Sequence, residues 1–267
     1  MDELDGRVAV VTGAASGIGL ALCRRFAGLG MDVVAADVQE PELEAAVAEL
    51  GPRVSGVVAD VADARSVEDL ADAAYDRHGA VHVLCNNAGV TVRKSLLDAS
   101  LDDWGWVVGV NVWGVIHGIH AFVPRMVAGG ERGHVVNTCS MAGFLAAGGY
   151  GIYCATKHAV VAISESLAGD LAAAEAPIGV TAVCPSAVAT DFDDADRTRP
   201  ARYGGPSTSA SERAERERIA RARGSAQSPD DVVDAVVAGI EANELFVFPD
   251  EAAKAPAADR MRRILGS

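Results

Sequence analysis

The sequence predicts a single α/β domain built on an open parallel sheet, and three observations carry that reading. Short β-branched runs alternate with stretches of helical periodicity along the chain. A glycine loop stands between the first such run and the first helical stretch. Successive strand ends then carry polar or glycine residues, as expected of the edge where open parallel sheets bind ligands. At 267 residues the chain can bury one full core, and no repeat or linker marks off a second domain, so residues 1–267 form one unit.

Residues 8–12 (VAVVT) read as a buried strand that runs into the loop 13–19 (GAASGIG) and then a helical pattern to Leu29. Glycines there let the backbone approach a ligand closely, and the first turn of the following helix presents unpaired N–H groups to a pyrophosphate. Residues 32–37 form the next strand, with Asp37 at its carboxyl end, where dinucleotide folds place the acid that binds a ribose. A carboxylate accepts both ribose hydroxyls and repels a 2′-phosphate. Neither Val38 nor Gln39 supplies a cation to reverse that preference, and Ser16 is uncharged, so the pattern points to NAD.

A helix over 41–50 and a strand over 54–60 follow, with Asp60 at the strand end. A helix over 64–77 leads to a strand over 81–85 and the turn Asn86, Asn87, Ala88, Gly89. From 102 to 126 the pattern is helical and apolar nearly all round, which implies burial on more than one side: one against the sheet, the other against a second subunit. Gly105, Gly109, Gly114 and Gly118 would permit close helix approach. Asn111 is the odd residue there, since a buried amide requires partners. His117 and His120 lack a carboxylate or cysteine to complete a metal set, so both read as helix packing and no metal is expected.

A strand over 134–138 delivers Ser140 to the same edge, and a loop of small residues leads to a helix reaching about residue 174. On it Tyr153 and Lys157 stand four apart, one above the other on one face. Alone, such a pair is surface decoration. Beside a cofactor edge it makes an acid–base phenol, because a neighbouring ammonium favours the phenolate of a group that otherwise titrates near ~10. A strand over 178–184 ends in Pro185, Ser186, Ala187, Val188, Ala189 and Thr190. Residues 191–228 differ in kind: rich in Arg, Ser and Gly, with alternating Glu and Arg, they suit either a solvated helix with pairs such as Glu212–Arg216 and Glu217–Arg221 or a lid over a site. A last helix over 229–241, a strand over 245–248 and a tail over 250–267 close the chain.

Composition narrows the function. Lys and Arg number 23 against 37 Asp and Glu, and the net charge of −14 argues against binding nucleic acid or anionic lipid; a small-molecule partner is expected. Five scattered cysteines without CxxC spacing read as reduced core residues of a cytoplasmic protein, and the acidic start MDELDGRVAVV lacks the pattern of a secretory signal. Two stretches without formal charge, 104–124 and 135–156, raise a membrane question. Asn111, His117 and His120 interrupt the first, glycines and hydroxyls the second, and neither is expected to span a bilayer.

These residues together resemble the short-chain dehydrogenase/reductase family over residues 5–249. Its TGxxxGIG appears as TGAASGIG from Thr12, its NNAG from Asn86, and its YxxxK from Tyr153 to Lys157. The resemblance implies a single-domain Rossmann fold, a seven-stranded parallel sheet with helices on both faces, and a homotetramer or homodimer. It implies NAD-dependent interconversion of a secondary alcohol and a ketone. Tyr153 would be the general acid/base, Lys157 would lower its pKa and bind the nicotinamide ribose, Ser140 would hold the substrate oxygen, and Asn111 would hold a relay water. Cofactor contacts would come from Gly13, Ser16, Gly17, Ile18 and Gly19, then Asp37, with Asp60 and Val61 bracketing the adenine. Asn87, Ala88, Gly89, Tyr153, Lys157, Pro185 and Val188 would continue the cleft, and Thr190 would meet the carboxamide.

Two positions depart from the family pattern: Cys139 stands where a second Ser is frequent, and Ser186 where Gly usually follows the Pro. A substrate pocket of Val90, Met141, Phe144, Leu145, Tyr150 and Ser186, with Ser140 and Tyr153, is mostly apolar and leans towards a bulky or cyclic hydrophobic alcohol. The alternative function is a dinucleotide-sensing regulator without catalysis, which would be expected to have lost part of the Asn, Ser, Tyr, Lys set. An epimerase or dehydratase sharing YxxxK would require a larger C-terminal domain.

Overall fold

In a computed structural model, residues 4–206 and 226–266 are described. Seven parallel strands form one sheet in the order β3-β2-β1-β4-β5-β6-β7. They are β1 (Val8–Thr12), β2 (Asp32–Asp37), β3 (Val54–Val58), β4 (Val83–Asn86), β5 (Gly133–Thr138), β6 (Ile178–Val183) and β7 (Phe246–Val247). Every residue of β1 is buried, as in a strand covered on both faces, which is why it reads as an unbroken apolar run. The strand order reverses between β1 and β4, so a crevice opens at their carboxyl ends.

Helices cover both faces. On one, α1 (Gly17–Gly28) and α7 (Pro229–Ala242) pack Leu22, Phe26, Val233 and Ile240 onto Val11, Val33 and Val136. On the other, α3 (Ala64–His78), α5 (Gly114–Gly129) and α6 (Gly151–Ala173) pack Leu70, Phe122 and Leu171 onto Val10, Val34 and Val135. The remaining helices are α2 (Glu40–Leu50), α4 (Leu101–Val108) and α8 (Lys254–Leu265). Local chemistry sets several ends. Ser100 and Ser228 form capping boxes with Asp103 and Asp231, Asp63 caps α3, and Gly79 ends it in the left-handed conformation.

Residues 102–126 are helical as expected, within one run, Leu101–Gly129, in which α4 and α5 are joined by a π-helical turn, Gly109–Trp113, that carries Asn111. Other expectations are corrected. The glycines of this stretch serve contacts within the chain: a Cβ on Gly118 would collide with Asn86, one on Gly114 with Val61, and one on Gly105 with Tyr203. His117 packs as expected, with Nδ1 2.9 Å from the Val61 carbonyl oxygen, whereas His120 is exposed. The tail contains the helix α8, whose polar sequence packs chiefly Ala257, with Ala253 of the preceding turn, on the core and so shows little apolar periodicity. β3 ends at Val58, leaving Asp60 in the loop beyond it. The pairs Glu212–Arg216 and Glu217–Arg221 lie outside the described residues.

Among the described residues, the stretch Leu101–Gly129 is long and apolar enough to cross a membrane, but 56% of its apolar window is buried within the chain. The stretch 135–156 is strand, turn and helix start.

β5 also buries a titratable group. His134 is 1% exposed, its Nε2 lies 2.8 Å from Thr181 Oγ1, and burial pushes its pKa down from 6.5 to about 4. The unfolded chain therefore binds a proton that the native chain refuses. This stability is complete above about pH 6.5 and is lost as pH falls through about 4. Urea unfolding between pH 7 and 4 should give a stability slope steeper in the wild type than in His134→Gln, by up to about 1.4 kcal/mol per pH unit. Parallel slopes would assign the acid sensitivity elsewhere.

Candidate active site

At the end of β1 the chain turns through Gly13, at φ +68°, and Gly17, at φ +55°, into α1. The turn after β4 presses against it: a Cβ on Gly13 would lie 2.8 Å from Ala88 Cα, and one on Gly19 would collide with Gly13 O. Thr12 Oγ1 accepts from the backbone N–H groups of Asn87 (3.0 Å) and Ala88 (3.1 Å), while Asn87 Nδ2 donates to Thr12 O (2.9 Å). Thr138 Oγ1, at the end of β5, donates to Asn87 Oδ1 (3.1 Å). Three strand ends are thereby locked into one rim. Ser16 makes no side-chain cap on α1, and the helix meets the crevice with its N-terminal amides uncapped by that side chain.

Asp37 is buried; Oδ2 accepts from Ala15 N (3.0 Å) and Oδ1 from Gln39 N (3.0 Å), so the carboxylate faces the glycine loop. Asp60 Oδ1 accepts from Ala62 N (3.0 Å), and Oδ2 pairs with Arg202 at 2.6 Å.

Lys157 is 3% exposed, and its Nζ donates to Thr138 O at 2.7 Å. It lies 5.6 Å from the centre of the Tyr153 ring, one helical turn back on α6. Burial pulls its pKa down from 10.5 to about 8. Asn111, in the π turn, accepts from Val90 N (2.8 Å) through Oδ1 and donates through Nδ2 to Val90 O (2.9 Å) and Thr156 Oγ1 (3.1 Å). Both amide donors are engaged, so a relay water can be held only by its remaining Oδ1 lone pair or a backbone carbonyl. A Cβ on Gly89 would lie 3.6 Å from Asn111 Oδ1 and 3.7 Å from Lys157 Nζ, which brings these two side chains to one spot. Ser140 Oγ accepts from Ala142 N (3.1 Å) and stands 3.5 Å from Pro185 O.

A cavity of ≈ 690 Å³ joins the rim to this cluster. Its walls include Gly13, Ser16, Gly17, Ile18, Asp37, Asp60, Val61, Asn87, Ala88 and Gly89, then Ser140, Tyr153, Lys157, Pro185, Val188 and Thr190. Leu145, Tyr150 and Ser186 line it too. Gly19 and Asn111 stand behind the wall. So does Phe144, expected in the substrate pocket: its ring packs on Phe246 (5.8 Å) and Phe248 (5.6 Å), an aromatic cluster with β7. Met141 is likewise buried in the core.

Two further residues, Phe192 and Arg93, belong to the wall. Asp191–Thr198 folds as 3₁₀ turns and sets Phe192 5.5 Å from the Tyr153 ring. The Arg93 guanidinium stacks 4.2 Å from the Tyr150 ring centre and pairs with Asp193 at 2.7 Å. Nothing in the local pattern signalled these two, because the contact partner of each is distant in sequence. This segment is anchored by Asp103, 0% exposed, which binds Arg199 (2.6 Å) and Lys94 (3.1 Å). Burial would raise the Asp103 carboxyl, but hydrogen bonds from Ser100, Arg199 and Lys94 outweigh it and hold it at about 2.

A parallel sheet with a glycine loop at its switch point and a Ser, Tyr, Lys cluster over the next strand ends is the build of a dehydrogenase. The chain belongs to the short chain dehydrogenase family, whose model matches residues 7–201. It is 44% identical over 193 residues to a 1-deoxy-11-beta-hydroxypentalenate dehydrogenase of Streptomyces avermitilis, covering 70% of this chain and 71% of that one. It is 34% identical over 256 residues to a C alpha-dehydrogenase of a Sphingobium species, covering 93% and 82%. Among solved structures, a short chain dehydrogenase/reductase from Burkholderia phymatum in complex with NAD superposes with TM-score 0.94 at 40% identity, over 99% of this chain and 96% of that one. The protein is thus an oxidoreductase of this family acting on a small molecule.

Removing Asp103 would strand two cations, one of them mostly buried. Asp103→Ala should lose about 3–5 kcal/mol of stability in urea unfolding, and Asp103→Asn less, because an amide can still cap Ser100. Equal, small losses in both would show that the ion pairs contribute nothing net.

Proposed function

We propose that this protein is an NAD(H)-dependent oxidoreductase that interconverts a secondary alcohol and a ketone, with Tyr153 as general acid/base. The observation that carries the reading is the meeting of Tyr153, Lys157 and Ser140 in one cavity with the glycine loop and Asp37. The residues fit a dinucleotide. The glycine loop leaves no room for side chains at Gly13 and Gly19, the first turn of α1 faces the crevice, and Asp37 stands where a ribose diol would be held. When bound, the nicotinamide supplies or accepts the hydride.

The chain's own residues handle the proton. Tyr153 gives its phenolic proton to a ketone oxygen, or removes one from an alcohol. Lys157 places a positive charge 5.6 Å from that ring, held in place by Thr138 O, and so favours the phenolate. Ser140 Oγ donates to the substrate oxygen, and Asn111 fixes the loop at Val90 against α6 through Thr156.

Asp37 favours NAD over NADP, and the Burkholderia relative solved with NAD supports the same choice. The walls of Leu145, Ala147, Tyr150 and Phe192 favour a bulky, hydrophobic, cyclic alcohol, and the relatives named for dehydrogenating a hydroxylated acid agree with a large substrate. We place the protein in the cytoplasm on its free cysteines, and as a homotetramer on the exposed Leu97, Leu101 and Trp113 along the α4–α5 side.

Screening secondary alcohols and ketones by NADH absorbance should give turnover that Tyr153→Phe lowers by about 10²–10⁴-fold, with NADH binding nearly unchanged. A Tyr153→Phe variant that kept most of its activity would overturn the mechanism. Dissociation constants should be lower for NADH than for NADPH, and the gap should narrow in Asp37→Ser; tighter NADPH binding by the wild type would reject the Asp37 argument.

A further inference from the structure

Two thiols meet beside Ser140. β5 and β6 pair in register up to Thr138 and Val183, so the next residues, Cys139 and Cys184, follow side by side as the strands end. Both are 1% exposed and share one apolar cluster with Val115 and Val160. The Cys184 S–H donates to the Ala182 carbonyl oxygen at 3.5 Å. Cys139 forms part of the cavity wall together with Ser140 and Lys157, and Cys184 stands behind it.

Cys23 and Cys85, also buried, are in a different situation. Burial pushes Cys23 up to about 12 and Cys85 higher still, and neither reaches the cavity. Cys139 is shifted the opposite way, by the hydrogen bond from Cys184 and, against its burial, by the Lys157 ammonium. A thiol held towards thiolate at a cavity wall, with a second thiol next to it, is the arrangement in which oxidation is directed to one pair.

We propose that Cys139 and Cys184 form a peroxide-sensitive dithiol whose disulfide, bridging β5 to β6, disables the Ser140 site. The effect on turnover rests on the catalytic reading above; formation of the disulfide does not. The Cys139 thiolate attacks one oxygen of hydrogen peroxide, the O–O bond breaks and Cys139 becomes a sulfenic acid, while the departing hydroxide takes up the proton that Cys139 had released and leaves as water. The Cys184 sulfur then attacks the Cys139 sulfur, the S–O bond breaks, and the departing hydroxide takes the Cys184 proton as a second water. Two thiols are oxidised and one peroxide is reduced.

The geometry explains both formation and effect. Neighbouring strands lie about 4.7–4.9 Å apart, within the Cα range a disulfide accepts, but its Cβ atoms must close to about 3.8 Å. The bond therefore draws the two strand ends together at the point where Met141 N donates to Pro185 O (3.0 Å) and Ser140 Oγ faces the same carbonyl. Ser140 and Ser186 flank the bridge and move with it. A disulfide strained in this way is readily reduced by thiols.

The test treats the full-length protein with hydrogen peroxide, blocks remaining thiols, and maps peptides without reduction. We expect a Cys139–Cys184 linked peptide, a loss of turnover of at least about tenfold that tracks it, and recovery of both with dithiothreitol. Cys184→Ala should give no linked peptide and instead a Cys139 sulfenic acid trapped by dimedone. Cys154, which also lines the cavity, serves as internal control. Oxidation at Cys154 alone, or both thiols remaining open to alkylation, overturns the proposal. A linked peptide with turnover unchanged overturns the claim on the Ser140 site. If no alcohol is turned over even before oxidation, the catalytic reading fails while the mapping still decides the dithiol.

Discussion

A buried ammonium is the constraint on which the site depends. Lys157 loses nearly all contact with water, and an ion in that position must find oxygen or give up its proton. It does part of each: its pKa falls to about 8, and its Nζ takes the carbonyl of Thr138 at 2.7 Å. That carbonyl is available because β5 ends there, and the Thr138 hydroxyl holds Asn87 in the turn after β4. The lysine therefore docks α6 on the carboxyl edge of the sheet at one depth. Tyr153, one turn earlier on the same face, then has to look into the crevice.

The same logic ties the rim together. Thr12 binds the turn after β4, Asn87 binds the end of β1, and Asn111 bridges Val90 to Thr156 on α6. Each bond satisfies backbone groups that a strand end or a turn would otherwise leave unpaired in a half-buried place. The polar residues at these strand ends thus have structural partners as well as the chemistry proposed for them. The network holds the cavity open and in register, since losing any one member frees a buried donor or acceptor in a neighbouring element.

The seven strands and most helices were legible because each carries its own signal: β-branched runs, apolar faces, Ser or Asp caps. The residues brought to the edge were legible for a related reason, as strand ends are easy to locate and a parallel sheet puts them on one side. What failed to show was set by distant contacts. The π turn at Asn111 uses ordinary helix-forming residues, and its altered hydrogen bonding leaves no mark on composition. Phe144 sits in a loop of cavity residues yet turns away, because Phe246 in β7 and Phe248 just after it offer it an aromatic socket. Phe192 and Arg93 reach the wall only because Asp193, Arg199 and Asp103 fasten the segment after β6 across α4.

The substitution of Ser for the usual Gly at 186 acquires a meaning from this arrangement. Ser186 Oγ donates to Asp250 Oδ2 (3.0 Å), and the other oxygen of Asp250 caps the turn that leads into α8. Arg260, on α8, returns to donate to the carbonyl of Phe144 at 3.2 Å. The loop after β6 and the loop after β5 are therefore joined through the C-terminal helix as well as directly at Pro185. A glycine at 186 would break this circuit at its first link, and α8, with few apolar contacts of its own, would depend on Arg260, on Ala257 and on Lys254, whose Nζ lies 5.0 Å from the Phe248 ring centre. The departure from the family pattern and the helix that the sequence concealed are thus two ends of one structural device, and it bears on the walls proposed to select the substrate.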